Sequence, residues 1–156
     1  MQQGAVALNL SSSEQVSAAA EAMSARLKEG GHEIQQLIVE RMVMNTKLEV
    51  ILGIKYEPRF GHAILLGYGG IYTDDIAAPE VLLLPAEDVM LRNFVFGAQV
   101  MQREAQTTKE AVFSAARSIA NYCANNRESL RGLDVNPLIV DRDGVVVAVD
   151  ALVLGG

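Results

Sequence analysis

Three polar side chains near the C-terminal end, Asp134, Asn136 and Asp150, interrupt two otherwise apolar runs of the chain. Between the runs, Arg142-Asp143-Gly144 has the composition of a three-residue hairpin loop with glycine in the left-handed position. If these residues form the loop, Asn136 lies directly opposite Asp150, and Asp134 falls on the same face two residues along. Two carboxylates and an amide oxygen are hard ligands suited to Mg²⁺. The pattern therefore predicts a metal site on a β-hairpin, with a nucleotide phosphate as its companion.

An alternative interpretation of the same residues requires no metal. Asp before Gly is common in turns, and a single Asp or Asn in a strand is often a solvent-facing or edge residue. A buried carboxylate needs a partner, however, and no basic residue lies within 134–137 or 145–153 to provide one locally. Spacing alone leaves both interpretations open.

A glycine-rich segment, Gly67-Tyr68-Gly69-Gly70, follows a predicted strand. Because glycine lacks Cβ, the backbone amides of this segment could approach a phosphate closely. A tight bend without a ligand would use the same residues. The segment by itself does not distinguish these possibilities.

Apolar spacing and turn residues predict alternating strands and helices, with a sheet-rich middle. We expect a helix that begins with a capping box of Ser11 and Glu14 and ends at Gly30-Gly31. Pro85 and the acidic residues after it suit the first turn of a second helix, and a third should run from Thr108 to about Asn125, with Cys123 in the core. Strands are predicted over Gly4 to Leu10, Gln36 to Met42, Leu48 to Tyr56, and His62 to Leu66.

Composition indicates a soluble, cytoplasmic enzyme portion of one domain. The chain has 156 residues, half of them hydrophobic, yet no apolar run reaches the roughly 18 residues of a membrane span. The N-terminus lacks the features of a signal peptide, and a single cysteine fits a reducing compartment. A net charge of -6 without a basic cluster argues against nucleic acid as the main partner.

Four stretches, in order along the chain, resemble a known family. The C-terminal LDVNPLIVDRDGVVVAVDA is similar to the closing hairpin of the ATP-grasp domain in NDP-forming acyl-CoA synthetases, a group that includes ADP-forming acetate–CoA ligase and the succinyl-CoA synthetase β subunit. The other three are GAVALNLSSSEQV, LIVERMVMNTKLEVILGIKYEPRFG and LLGYGGIYTDD, which resemble the strand and helix after the nucleotide-binding lysine segment, the hinge, and the phosphate loop. The resemblance weakens between about Pro79 and Leu130.

The resemblance implies an α+β fold, an ATP-grasp-like lobe with a mainly antiparallel sheet and helices packed on one side. Residues 1–156 would form a single domain portion from which the first, lysine-bearing lobe is absent; neither Lys47 nor Lys55 matches the phosphate-binding lysine. Asp74 stands where the family usually has Glu. His32 and His62 are expected to be surface or loop residues rather than phosphoryl carriers. The implied cofactor-binding residues are the hinge residues Val39, Glu40, Arg41 and Met42, the ribose acceptor Glu49, and the phosphate-loop glycines Gly69 and Gly70.

The implied function is the nucleotide- and Mg²⁺-binding portion of an acid–CoA ligase that uses ATP/ADP and acts through acyl phosphate and phosphoenzyme intermediates. Its partners would be the missing lobe and a CoA-binding module, in the same polypeptide or in a partner subunit. No residue of this chain is assigned a catalytic role, and the isolated chain should catalyse little. Two alternatives remain: a non-catalytic binding or assembly subunit, and a degenerate domain of a CoA-dependent protein acetyltransferase.

Overall fold

The computed structural model describes residues 5–70 and 78–156, and the chain divides into two compact units, residues 1–42 and 43–156. The first unit contains helix α1, Ser13–Glu29. Its N-cap is Ser12, whose hydroxyl accepts from the Gln15 amide at 3.2 Å, while the Gln15 side chain accepts from the Ser11 amide at 2.8 Å. The expected capping box of Ser11 and Glu14 is therefore wrong: the cap is Ser12, and Gln15, not Glu14, is the side chain that accepts from the Ser11 amide. The helix ends at Gly30-Gly31, as predicted.

The two strands predicted in this first unit are not observed. Residues 5–10 and 36–42 are irregular, and neither segment pairs with a strand. A strand requires a neighbour whose backbone accepts and donates its hydrogen bonds, and apolar composition alone does not provide that neighbour. Gly4, the first residue of the predicted N-terminal strand, lies outside the described residues.

In its described residues, 43–70 and 78–156, the second unit contains a six-stranded antiparallel sheet, two α-helices and the short 3-10 turn at Gln99–Met101. The strand order is β3-β2-β1-β4-β5. Strand β6 also pairs with β4, along residues 130–135, whereas β5 pairs with residues 138–140. This is the α+β architecture expected from the sequence. In chain order the elements are β1 Thr46–Glu57, β2 Gly61–Tyr68, β3 Glu80–Leu83, α2 Asp88–Gly97, the 3-10 turn Gln99–Met101, α3 Gln106–Asn125, β4 Leu130–Asp141, β5 Val146–Ala148 and β6 Ala151–Gly155.

The core of this unit lies between the helices and one face of the sheet. Alternate residues Val50, Leu52 and Ile54 of β1 are buried against apolar residues of α2 and α3. Since successive side chains of a strand point to opposite faces, the residues between them belong to the other face. We call this second face, which carries Glu49 of β1 and Asp134 and Asn136 of β4, the outer face. No helix described in residues 5–70 and 78–156 is long and apolar enough to cross a membrane.

Helix α3 lies where its apolar periodicity predicts, with Val112, Ala116 and Cys123 buried. Burial raises the pKa of the Cys123 thiol, as expected for a cysteine that packs as a small hydrophobic residue. Helix α2 begins at Asp88, so Pro85 precedes the helix and does not occupy its first turn. Here the N-cap is Glu87, and proline only sets the approach to it.

The C-terminal hairpin has the predicted register. Leu138 pairs with Ala148 and Val135 with Ala151, which places Asn136 opposite Asp150, and the Asn136 amide donates to the Asp150 carbonyl at 3.2 Å. The loop is closed at Gly144, which has φ +82°.

Candidate functional site

The site is built where the end of β2 passes over β1 and reaches β4. The Gly69 amide donates to the Glu49 carbonyl at 3.1 Å, and the Gly70 amide donates to Asn136 Oδ1 at 3.2 Å. The structure thus brings together three segments predicted independently: the glycine loop, Glu49, and the strand that bears Asn136.

Both glycines are required by this close approach. A Cβ at Gly69 would lie 2.6 Å from the carbonyl carbon of Val50, and a Cβ at Gly70 would overlap Oε2 of Glu49. Gly70 also has φ +69°, a conformation that other residues adopt only at a cost. A tight bend therefore explains these glycines in part without any ligand.

The same hydrogen bonds limit what the loop amides can do. Because the Gly69 and Gly70 amides already donate to Glu49 and Asn136, a direct phosphate contact by either amide would require its bond to open. The observed geometry instead uses the loop to hold Glu49 and Asn136 in place. A phosphate-binding role for the glycines stays a prediction.

The two candidate metal-binding carboxylates flank Asn136. Asp134 precedes it by two residues on β4, Asp150 lies opposite it, and both aspartates are exposed. Neither carboxylate forms an ion pair or side-chain hydrogen bond with any residue in the described part of the chain. The Asn136 oxygen accepts one hydrogen bond and has a second lone pair. This donor set of two free carboxylates and an amide oxygen suits a hard cation such as Mg²⁺.

The candidate metal ligands include an amide oxygen, that of Asn136, in addition to two carboxylates. Among residues 5–70 and 78–156, no group of three or more His, Cys, Asp or Glu is arranged to hold a metal ion. Asn136 would therefore be an essential third ligand, with water and phosphate oxygens completing the shell, as is usual for Mg²⁺.

Sequence reasoning missed Gly53, which lies in β1 opposite Asp134. A Cβ there would be 2.7 Å from the Leu133 carbonyl oxygen and 3.6 Å from Asp134 Oδ1. Glycine at this position lets β4 approach closely beside the aspartate. The available signal was an isolated glycine inside a strand pattern, which is typical of a close backbone approach.

The predicted adenine hinge lies in the first unit. Val39, Glu40, Arg41 and Met42 are all exposed and belong to no strand, with Val39 exposed to 69%. The chain itself provides no partner strand for this segment in its described part. The other predicted residue of the phosphate loop, Asp74, lies outside the described residues.

The predicted surface or loop position of His62 is wrong. His62 lies in β2 with 2% exposure, and its Nε2–H donates to the Leu130 carbonyl at 2.9 Å. The interior of this sheet accommodates the imidazole because the carbonyl satisfies its ring nitrogen. His32 is exposed in the loop after α1, as expected.

Lys47 has a structural role that the sequence did not reveal. Its Nζ donates to Thr108 Oγ1 at 2.7 Å and lies 3.2 Å from Glu104 Oε2. Since Glu104 lies just before α3 and Thr108 lies in its first turn, this lysine fixes β1 to the beginning of that helix.

The chain is similar in sequence to two ADP-forming CoA ligases. The β subunit of ADP-forming acetate–CoA ligase II from Pyrococcus furiosus is 26% identical over 113 residues, which are 68% of this chain and 48% of that subunit. The ADP-forming 4-hydroxybutyrate–CoA ligase of Nitrosopumilus maritimus is 26% identical over 117 residues, 72% of this chain and 17% of that enzyme. The chain therefore spans about half the length of the first relative and much less of the second.

Solved structures show the same fold. Dinucleotide forming acetyl-coenzyme A synthetase 1 of Ca. Korarchaeum cryptofilum, in complex with coenzyme A, Ca-AMPCP and HgCl⁺, superposes with a TM-score of 0.78 at 22% identity. The match covers 98% of this chain and 69% of that one. A family model described as an ATP-grasp domain matches residues 1–154, nearly the whole sequence. The protein belongs to the ATP-grasp domain family.

Proposed function

We propose that this chain is the nucleotide- and Mg²⁺-binding portion of an ADP-forming acid–CoA ligase. Family membership and the names of the two ligase relatives support this proposal. The single structural observation that carries it is the hydrogen bond from the Gly70 amide to Asn136 Oδ1, at 3.2 Å. This bond brings the glycine loop onto the strand of the candidate metal ligands, beside Glu49.

Glu49 is proposed to accept hydrogen bonds from the ribose hydroxyls of ATP or ADP. Its carboxylate is half-buried on the outer face, in contact range of Gly70. An ionised carboxylate only accepts hydrogen bonds, and its two oxygens can serve two neighbouring hydroxyl groups. The hinge residues 39–42 are proposed to hold adenine through their backbone, which is why their side chains can remain exposed.

Asp134, Asn136 and Asp150 are the residues proposed to hold Mg²⁺. When bound, the ion would supply positive charge that neutralises the charge developing in phosphoryl transfer. The protein's own contribution is to keep two unpaired carboxylates beside an asparagine whose amide is oriented by Gly70. Because this hydrogen bond fixes the orientation of the amide oxygen, binding would require little reorganisation of Asn136.

The complete reaction requires more than this chain. We propose that acyl phosphate and phosphoenzyme intermediates form in an assembly that also contains a lysine-bearing lobe and a CoA-binding module. The shares of the two relatives that this chain covers, 48% and 17%, are consistent with such additional parts. The acyl substrate would be chosen by those parts.

A nucleotide titration with a matched pair of variants tests the proposal. Glu49→Gln should weaken Mg-ADP binding about tenfold or more, since a hydrogen bond to a charged group contributes roughly 1.5–3 kcal/mol. Glu57→Gln removes the same charge from the other end of β1, where the side chain is exposed, and should leave affinity unchanged.

The ribose assignment is tested by repeating the titration with Mg-2′,3′-dideoxy-ADP. The wild-type chain should lose affinity for this analogue, whereas Glu49→Gln should bind both nucleotides about equally. If the dideoxy analogue loses the same factor of affinity with Glu49→Gln as with the wild-type chain, Glu49 does not contact the ribose. If Mg-ADP shows no saturable binding to any form of the chain, nucleotide binding itself is wrong.

A further inference from the structure

A second concave site lies at the other end of β1 from Glu49. A cleft of about 530 Å³ opens there, lined by Tyr56, Gly61, His62, Arg127, Glu128 and Arg131. Tyr56 follows Glu49 by seven positions, which corresponds to about 23 Å along a strand at roughly 3.3 Å per residue. The cleft is therefore separate from the candidate nucleotide site.

Arg131 is held in position within this cleft. Its Nη1 donates to the carbonyl oxygens of Glu128 at 2.9 Å and Leu130 at 3.2 Å. Its guanidinium carbon lies 4.9 Å from the centre of the Tyr56 ring, a cation–π contact. The guanidinium is thus already ordered, and a ligand that binds it would pay little of the usual side-chain entropy.

The charges of the cleft are not balanced by the protein. Neither Arg127 nor Arg131 forms an ion pair with any carboxylate in the described part of the chain, although Glu128 lines the same cleft. Arg131 keeps Nη2 and Nε without a hydrogen-bond acceptor among the described residues. Arg127 and Arg131 therefore both line the cleft, and Arg131 has donors that no acceptor in the described residues occupies.

The floor of the cleft is rigid. His62 is 2% exposed, its Nε2–H is bound to the Leu130 carbonyl, and its ring centre lies 5.0 Å from that of Tyr56. This arrangement ties β2 to the start of β4 directly beneath the arginines. A concave wall with fixed aromatic rings and uncompensated guanidinium donors has the properties of an anion-binding site.

We propose that this cleft binds a small oxyanion, of phosphate or carboxylate chemistry, through Arg127 and Arg131. Planar guanidinium groups match the oxygen pairs of both anions. The site is independent of the proposed nucleotide site and would add a second ligand to this domain.

The test is a two-dimensional ¹H–¹⁵N NMR titration of the chain with inorganic phosphate and, separately, with acetate, at constant ionic strength set by sodium chloride. At least one anion should cause saturable shifts of the His62 and Arg131 amides while the Gly70 amide stays unshifted. The anion that binds more tightly identifies the chemistry. Binding to the nucleotide site alone would instead shift Gly70.

Three variants make the test specific. Arg131→Gln should weaken binding about tenfold or more, the factor expected for one charge-assisted contact. Arg127→Gln should also weaken it, and should not disturb folding because Arg127 makes no hydrogen bond or ion pair within the described residues. Arg103→Gln removes an exposed charge elsewhere and should leave the affinity unchanged.

Several results would overturn the proposal. These are the absence of saturable shifts with both anions, shifts that sodium chloride alone reproduces, and equal losses in Arg127→Gln and Arg103→Gln. If Arg131→Gln fails to fold, the comparison of Arg127→Gln with Arg103→Gln still decides the question, because Arg127→Gln leaves the packing intact.

Discussion

The backbone amide of Gly70 donates a hydrogen bond to Oδ1 of Asn136, 3.2 Å away, across 66 positions of sequence. This contact joins the loop after β2 to the middle of β4. It also fixes which side of the Asn136 amide faces the loop, because only the oxygen can accept. The geometry of the candidate site therefore depends on Gly70. The glycine-rich sequence around Gly70 would, by itself, indicate only a turn.

Gly70→Ala should disrupt the site as well as the fold. The new Cβ would overlap Oε2 of Glu49, and a non-glycine residue at φ +69° costs roughly 1–2 kcal/mol by itself. We expect a loss of stability in urea unfolding larger than that strain alone, together with weaker Mg-ADP binding, because Glu49 must move.

Gly144→Ala is the matched control for this prediction. Gly144 has φ +82°, but a Cβ there would meet no atom within 4 Å. It should therefore show only the cost of backbone strain and retain its nucleotide affinity. If Gly70→Ala and Gly144→Ala change the nucleotide affinity equally, Gly70 has no specific role at the site.

Asp150→Ala should reduce Mg-nucleotide affinity in the chain and turnover in an intact ligase assembly. Asp150 is exposed and its carboxylate has no partner among the described residues, so its removal should affect folding less than a core truncation such as Leu52→Ala. Isothermal titration calorimetry at several Mg²⁺ concentrations would measure the change.

Asp143→Ala provides the comparison for Asp150, since it removes a carboxylate from the loop of the same hairpin. The side chain of Asp143 is exposed and forms no ion pair or hydrogen bond in the described part of the chain. It should behave as wild type. Unchanged Mg-nucleotide affinity in Asp150→Ala would remove this aspartate from the proposed metal ligands.

Strands β1 and β2, helix α3 and the C-terminal hairpin were predictable because their signals are local and their partners are present, whereas β3 was not predicted. The strands around Val50 and Ile64 have apolar runs bounded by turn residues, and each finds a neighbour within the chain. The register of the C-terminal hairpin followed from Gly144, since loop length sets which residues face each other. Asn136 and Asp150 were placed correctly opposite each other for that reason.

The failures have equally physical causes. Segments 5–10 and 36–42 have strand-like composition but no partner in the described chain, and strand propensity depends on pairing. His62 was misplaced because sequence does not show that the carbonyl of Leu130 would satisfy its ring. The contact between Gly70 and Glu49 was also out of reach, since no local pattern reports contacts between distant segments.

Lys47→Met should destabilise the fold by about 1–3 kcal/mol, the usual range for leaving a buried polar group without its partner. Lys47 lies 3.2 Å from Glu104 Oε2, and the Glu104 side chain is only 18% exposed. Methionine keeps most of the apolar length of lysine but cannot satisfy that carboxylate. Thermal and urea unfolding would measure the loss.

Lys55→Met is the control, because Lys55 is an exposed residue of the same strand whose side chain forms no ion pair or hydrogen bond with the described residues. Its effect should be small. A double variant, Lys47→Met with Glu104→Gln, should recover part of the lost stability, since it replaces the unpaired charge. No recovery would mean that Lys47 acts mainly through Thr108 or through packing.

The last prediction concerns dependence on the rest of a ligase. In this chain the candidate metal ligands and Glu49 are present, but Lys47 is engaged by Glu104 and Thr108, and neither Lys47 nor Lys55 matches the phosphate-binding lysine of the resembled family. Losing two charge-assisted hydrogen bonds would weaken nucleotide binding by a factor on the order of a hundred or more.

The isolated chain should therefore bind ATP weakly and only with Mg²⁺, and should not ligate an acid to CoA. Adding a lysine-bearing lobe and a CoA-binding module, in one polypeptide or as separate subunits, should restore both activities. Calorimetry of the chain alone and of the mixture, with an assay for acyl-CoA formation, would measure the difference. Tight ATP binding together with acyl-CoA formation by the purified 156-residue chain would contradict this dependence.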